Sequence, residues 1–394
     1  MTREADAERE FRQEVIEFLK SYWPTPATAL QDAQDFRRAA VERGYIWRHV
    51  PTEYGGSGQP ADPIKALIIK EEFSRARAPS EYPNRSAPMI VGTLLAAGET
   101  WQKHMFVEKS LKGEIFWCQG YSEPNAGSDL ASLRTKAVLD GTDWVINGQK
   151  VWTSRASEAS HMFLMARTEP EAPKHQGISY LLLDMSAPGI QVRPLKQITG
   201  DTEFSEVFFD DVRTPANWIV GKRGEGWAVS RKTIAIERTN IGSSEASERL
   251  FNQLIKLATV TQRENAPAIK DPLIRDEIAR LYGMLSAHKA DGLHQINLLR
   301  RGEEPALGAG AYNKLFYSGF AERVGILAQK LMNEVAMASP GANERGPARW
   351  INQYMNSIAA QIGGGTSNMQ RNMIAEQALG LPRDDWAARK EPGR

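Results

Sequence analysis

The sequence predicts an α+β protein of three successive regions, helical, then β, then helical. Three observations predict it. Apolar residues near the N-terminus recur three and four apart, the middle of the chain changes to short β-rich runs punctuated by Asp-Gly and Asn-Gly, and helical spacing returns from Gly226 onward. The expected domains are residues 1–114, 115–225 and 226–394.

In the first region Phe11, Val15, Phe18 and Leu19 form one apolar stripe, and Leu67, Ile68 and Phe73 another. Residues 51–58, with Tyr54-Gly55-Gly56 inside them, separate these helices. In the middle region Ala137-Val-Leu runs into Asp140-Gly141, Trp144-Val-Ile into Asn147-Gly148, and Val151-Trp-Thr-Ser follows. Asp, Asn and Gly tolerate the left-handed backbone of tight turns, so a hairpin is expected at each dipeptide. Further strands are expected over 162–166, 178–183, 190–193 and 206–209. The strand spacing gives a β domain of about 100 residues. In the last region Leu250, Leu254 and Leu257 mark one helix, and Ile274, Ile278, Leu281 and Leu285 a second. Trp350, Ile351, Tyr354, Met355, Ile358 and Ile362 mark the last long one, and the Gly/Pro-rich residues 337–347 read as a loop.

The chain has 394 residues, 41% hydrophobic and 25% charged, which suits a soluble protein with a large core. Its net charge of +1 gives no argument for nucleic acid or for an anionic membrane. Cys118 is the lone cysteine, so no intrachain disulfide can form. The histidines at 49, 104, 161, 175, 288 and 294 stand at no ligand spacing, and no metal site is expected. The N-terminus opens on a charged amphipathic run, and no stretch approaches the ~20 apolar residues of a membrane span. A cytoplasmic protein is expected.

Glu237 carries the first chemical signal. Ile234 lies three residues before it and Ile241 four after, so a helix puts the carboxylate on a stripe with two large aliphatics. An apolar surface penalises the charged form and raises basicity, which suits a base that takes a proton from carbon. A solvated helix-surface Glu is the commoner alternative. Cys118-Gln-Gly-Tyr-Ser-Glu-Pro-Asn-Ala-Gly-Ser-Asp129 reads as a loop rich in short hydroxyls and free backbone N–H groups, able to hold a polar ring or a phosphate. A plain surface turn is the alternative. In Lys150-Val-Trp-Thr-Ser154, an indole beside hydroxyls suits a flat aromatic ligand, with a core tryptophan as the alternative.

These segments closely resemble the acyl-CoA dehydrogenase family. Tyr121-Ser-Glu-Pro-Asn-Ala-Gly-Ser-Asp129 is similar to the family's first signature and Ile146-Asn-Gly-Gln-Lys-Val-Trp-Thr-Ser154 to its second. Glu206-Val-Phe-Phe-Asp-Asp-Val-Arg213, residues 221–226 and Gly364-Gly-Thr-Ser-Asn-Met-Gln-Arg-Asn372 extend the likeness along nearly the whole chain. The resemblance implies an N-terminal helical domain, a middle β domain of barrel or sandwich type and a C-terminal four-helix bundle. It implies FAD shared between subunits, an acyl-CoA substrate and electron-transfer flavoprotein as acceptor. By position, Ser122 would bond the pyrimidine side of the flavin, Trp152 would pack on its ring system, and Ser154 would bond near N5. Gln119, Tyr121 and Thr153 belong to the same cofactor-facing segments, and Thr366 and Asn368 would touch FAD from the C-terminal region. Ser128 would sit at the acyl-CoA pocket and Arg238 would shape it.

The chain departs from the pattern in three places. Many members carry the base just before the Gly-Thr of the C-terminal signature, where this chain has Gly364. Others carry it on the first C-terminal helix, which assigns the role to Glu237. The Arg-x-x-Phe-Gly stretch that reaches a neighbour's FAD is replaced by Arg280-Leu-Tyr-Gly283, one residue short, and residues 334–346 lack the Gln-x-x-Gly-Gly turn. These losses resemble a bacterial subgroup in which two different subunits share FAD sites and which often acts on bulky, branched, steroid-side-chain or dicarboxylic acyl-CoAs. A homo- or heterotetramer with a homologous subunit is expected. Two competing readings are a silent partner subunit, which would have no need of Glu237, and an oxygen-using enzyme of the same fold, which usually changes the base or lengthens the chain.

Overall fold

The structure, a computed structural model, describes residues 2–23, 30–60, 62–79, 82, 84, 86–240, 244–303, 308–333 and 349–382. At 2–5, 30–32 and 235–240 it describes the backbone alone. Residues 337–347, expected as a loop, lie outside the described residues, as does the 334–346 stretch. The chain forms two compact units, one of residues 1–196 and 202–236, the other of 197–201 and 237–394.

The first unit opens with five helices: α1 Thr2–Tyr22, α2 Leu30–Glu42, α3 Pro63–Ala76, α4 Ala87–Ala97 and α5 Thr100–Lys112. The two apolar stripes read from the sequence fall on α1 and α3. Asp62 caps α3 by accepting from the N–H groups of Ile64 and Lys65, with Pro63 at the first helical position. Helix α4 has no amphipathic stripe because it is apolar nearly all round, with Met89, Ile90, Val91 and Leu94 all buried.

Seven strands follow: β1 Trp117–Gly120, β2 Lys136–Asp140, β3 Asp143–Ser154, β4 His161–Arg167, β5 Ile178–Asp184, β6 Ile190–Leu195 and β7 Phe204–Pro215. They form one hydrogen-bonded sheet. β2, β3, β7 and β6 pair in that order, all antiparallel. β4 pairs β5 antiparallel along one edge, and along the other it runs parallel to β1 and meets β2 at Arg167. Side chains alternate across the central strands. Phe163 and Met165 of β4, with Tyr180 and Leu182 of β5, join the core formed with the N-terminal helices. Met162, Leu164 and Ala166, with Leu181 and Leu183, join a second core on the opposite face. Burial on both faces is why residues 178–183 read as an apolar run broken only by Ser179.

Two expectations need correction. Asp140-Gly141 does start a hairpin, since Asp140 pairs with Asp143. Asn147-Gly148 does not, because β3 runs straight through it. The pairing with β7 shifts there by one residue, which β7 supplies near Asp210-Asp211. The Asn147 amide donates to the Asp211 carboxylate at 2.8 Å, and its oxygen accepts from the Asp211 N–H at 3.0 Å. The Asn side chain therefore bridges strands instead of closing a turn. Gly148 has φ 148, and a Cβ there would stand 2.7 Å from the Thr135 Cα. Gly148→Ala is expected to destabilise the β domain by about 1–3 kcal/mol, measured as a lowered midpoint of urea unfolding. The second correction concerns Cys118 and Gln119, expected in a loop. Both lie in β1, paired with Met162 and Phe163.

Helix α6, Gly226–Asn240, follows the sheet. Its Thr233 hydroxyl meets the Thr93 hydroxyl of α4 at 2.7 Å and the Tyr180 hydroxyl of β5 at 3.3 Å. This buried cluster ties the helix to both the N-terminal helices and the sheet.

The second unit is built on α7 Ser244–Val260, α8 Pro272–Arg300, α9 Ala309–Met332, α10 Arg349–Ala360 and the short α11 Ser367–Met373. Leu250, Leu254, Leu281, Leu285, Val324, Leu327, Trp350 and Ile351 share its core. The predicted last long helix is α10, but it stops at Ala360. Ile362 lies beyond it and is exposed. Helix α9 was not read from the sequence, because its buried stripe includes Lys314, Ser318 and Gly325 among the aliphatics.

Candidate active site

After β1 the chain leaves the sheet as Tyr121-Ser122-Glu123 and runs beside β3. The Val151 N–H donates to the Ser122 carbonyl at 2.9 Å. The Lys150 ammonium donates to the Tyr121 carbonyl at 3.0 Å and to the Glu123 carboxylate at 2.8 Å. Glu123 also accepts from the N–H groups of Arg134 at 2.6 Å and Thr135 at 2.9 Å. Lys150 is wholly buried and Glu123 nearly so. Burial works to raise the Glu123 carboxyl, but the Lys150 charge and these hydrogen bonds outweigh it and hold the group below its ordinary value. Burial pulls the Lys150 ammonium down to about 8 against the opposing pull of Glu123.

Past Lys150, β3 bulges. Lys150 pairs with Val207 and Thr153 with Ser205, so β3 carries one residue too many between them. Trp152 takes up the irregularity with φ 61, and its indole stands 60% exposed, edge-on to Phe204 at 6.0 Å. The core-tryptophan alternative therefore fails. Ser122 and Ser154 are half-buried, and neither hydroxyl has a partner among the described residues. The Thr153 hydroxyl is buried and also lacks one. Gln119 is half-buried in β1. Tyr121 is buried against the rings of Phe163 and Tyr180. An exposed indole flanked by unsatisfied hydroxyls fits a flat heterocycle with polar edges, and flavin is such a group.

The fold thus brings Ser122, Trp152, Thr153 and Ser154 together. Ser128 lies on the exposed loop beyond, where the neighbouring Asp129 accepts from Lys174 at 2.6 Å. Glu237 and Arg238 lie on α6, with Glu237 one turn past Thr233, and their side chains lie outside the described residues.

In the second unit Thr366 caps α11, its hydroxyl accepting from the Met369 N–H at 3.2 Å. Asn368 is exposed and accepts from Arg371. The preceding glycine turn is held from inside. Lys314 of α9 donates to the Gly365 carbonyl at 2.6 Å, and the Gln370 amide donates to the carbonyls of Gly364 and Gly365 at 3.0 and 3.2 Å. Gly364 has φ 66, in the left-handed region. Glu123, Lys150, Lys314 and Gln370 were not singled out from the sequence. A lysine between Ile146 and Val151 in a strand buried on one face was the available signal for Lys150, since an ammonium there needs a partner.

Among the described residues no helix is long and apolar enough to cross a membrane. Residues 5–114 match the acyl-CoA dehydrogenase N-terminal domain, 118–212 the middle domain and 224–379 the C-terminal domain. Acyl-CoA dehydrogenase IpdE1 of Mycobacterium tuberculosis is 39% identical over 361 residues, covering 90% of each chain. Among solved structures, the ChsE4-ChsE5 complex from Mycobacterium tuberculosis superposes with a TM-score of 0.77 at 28% identity, over 96% of this chain and 98% of that one. The Tcur3481-Tcur3483 steroid ACAD gives 0.75 at 26%, over 96% and 98%. With three matching domains in order along nearly its whole length, the chain belongs to the acyl-CoA dehydrogenase family of flavin-dependent oxidoreductases.

Proposed function

We propose that the chain is an FAD-dependent acyl-CoA dehydrogenase that converts a bulky acyl-CoA, of the steroid-side-chain class, to its trans-2-enoyl-CoA and passes electrons to an electron-transfer flavoprotein. The edge formed by Ser122, Trp152 and Ser154 carries this reading. FAD, held by these residues, would supply the oxidising power and a hydride acceptor for the β-hydrogen of the substrate. The rest falls to the chain's own residues. Glu237 takes the α-proton as a carboxylate. Trp152 offers its exposed indole to the flavin ring system, and the Ser122 and Ser154 hydroxyls offer hydrogen bonds to its polar edges. Gln119, Tyr121 and Thr153 shape the same wall, while Thr366 and Asn368 contribute from the C-terminal region. Ser128 and Arg238 serve the acyl-CoA side. The steroid ACAD among the structural relatives supports the substrate class.

The test is anaerobic titration of the yellow protein with straight-chain and steroid-side-chain acyl-CoAs. Bleaching by the bulky thioesters is the expected result. No bleaching by any acyl-CoA would overturn the assignment and favour a non-catalytic partner subunit, a role compatible with the two-protein complexes among the relatives.

Trp152→Ala is expected to lower FAD content per folded chain after gel filtration while leaving the melting temperature nearly unchanged. An exposed side chain contributes little to the core, and its loss strips stacking area from the ligand. The reverse pattern, unchanged FAD and a lower melting temperature, would return Trp152 to a structural role.

A further inference from the structure

The buried Lys150–Glu123 pair stands two residues before the left-handed Trp152, where β3 carries its surplus residue, and the three have no assigned role together. A bulky aromatic residue at positive φ is an outlier that persists only where the surroundings leave it no alternative. Here the chain is pinned on both sides of it. On the C-terminal side Thr153 pairs with Ser205, and the Arg155 N–H donates to the Glu203 carbonyl at 2.6 Å. On the N-terminal side Lys150 is fixed by Tyr121 and Glu123, and Val151 by Ser122. The span between the pins holds one residue more than the partner strand, so that residue has to leave the ladder.

We propose that the Lys150–Glu123 pair is a positioning device: it holds Trp152 in its outward conformation with Ser122 alongside, so that the cofactor-facing edge is assembled before any cofactor arrives. The consequence for FAD affinity rests on the function proposed above, whereas the conformational claim concerns the polypeptide alone. Lysine suits the task because one ammonium can reach both a carbonyl and a carboxylate on the neighbouring segment. The low dielectric around a wholly buried ammonium penalises any arrangement that leaves it unpaired, so the segment has a single favoured placement. An edge fixed in advance spares the ligand the cost of ordering it.

The test labels the full chain with fluorotryptophan and follows Trp152 by fluorine NMR, with Trp152→Phe to assign its resonance. In the parent chain that resonance should show the large H2O-to-D2O shift of an exposed indole. In Lys150→Met it is expected to move and lose most of that shift while the other tryptophan resonances hold. FAD should then bind about tenfold more weakly or worse. The double variant Lys150→Met/Glu123→Leu, which replaces the pair by apolar groups, should recover melting temperature without restoring either signature. A folded Lys150→Met chain with an unmoved Trp152 resonance overturns the proposal. Should Lys150→Met not fold, Glu123→Gln decides, because it keeps the side chain's shape and one accepting oxygen while removing the charge opposite Lys150. An unmoved resonance there, or collapse of that variant too, overturns positioning in favour of a purely structural role. A moved resonance in a chain that binds no FAD even as wild type would sustain positioning and sink the flavin reading.

Discussion

Glu237→Gln is expected to leave folding and FAD content intact and to slow flavin reduction by acyl-CoA on the order of 10² to 10⁴-fold. The substitution keeps the shape of the side chain and removes only its capacity to take a proton. Two features of the chain motivate it. The position that serves as base in many relatives is Gly364, whose left-handed backbone has no side chain to offer. Glu237 lies one turn beyond Thr233, where the hydroxyl cluster with Thr93 and Tyr180 anchors the helix. Rapid mixing with substrate under anaerobic conditions gives the rate directly. A Gln variant reduced at near the parent rate would move the base elsewhere.

The second large effect concerns assembly. Produced alone, this chain is expected to be poorly loaded with FAD, and production together with a homologous subunit should raise its FAD content several-fold. The nearest substitute for the missing pyrophosphate contact, Arg280, is on an exposed face of α8 and engages Asp276 at 2.9 Å. A phosphate without a cationic partner binds more weakly. Both related complexes, ChsE4-ChsE5 and Tcur3481-Tcur3483, contain two different proteins. A stable, fully yellow and active assembly of this chain alone would show that Arg280 or another basic side chain, such as Arg275 or Arg301, replaces the missing contact.

The three-region order and most strands were legible because side-chain period reports which faces are buried. The misreadings share a cause. Asn147-Gly148 has the composition of a turn, yet its neighbour β7 sits on the open edge of β3 and the Asn side chain reaches across to Asp211. Only tertiary pairing distinguishes a turn from a bulge. Helix α9 escaped because Lys314 and Ser318 interrupt its apolar stripe: the Lys314 partner, the Gly365 carbonyl, lies 51 positions away, and Ser318 turns its hydroxyl back onto the Leu315 carbonyl of its own helix. At the site, Trp152 and the two serines could be chosen by residue type. The pair that fixes them could not, since a lysine and a glutamate 27 positions apart reveal their contact only when the strands are in register.

The glycine turn before Thr366 has a bearing on how the family's two base positions can be exchanged. Gly364 and Gly365 give their carbonyls to Gln370 and Lys314, and Gly364 sits where a side-chain-bearing residue is strained. A carboxylate-bearing residue there would have to adopt a left-handed backbone within a turn whose carbonyls are already engaged. A turn-borne base at this position would therefore carry a backbone cost of about 1–2 kcal/mol that a helix-borne one avoids.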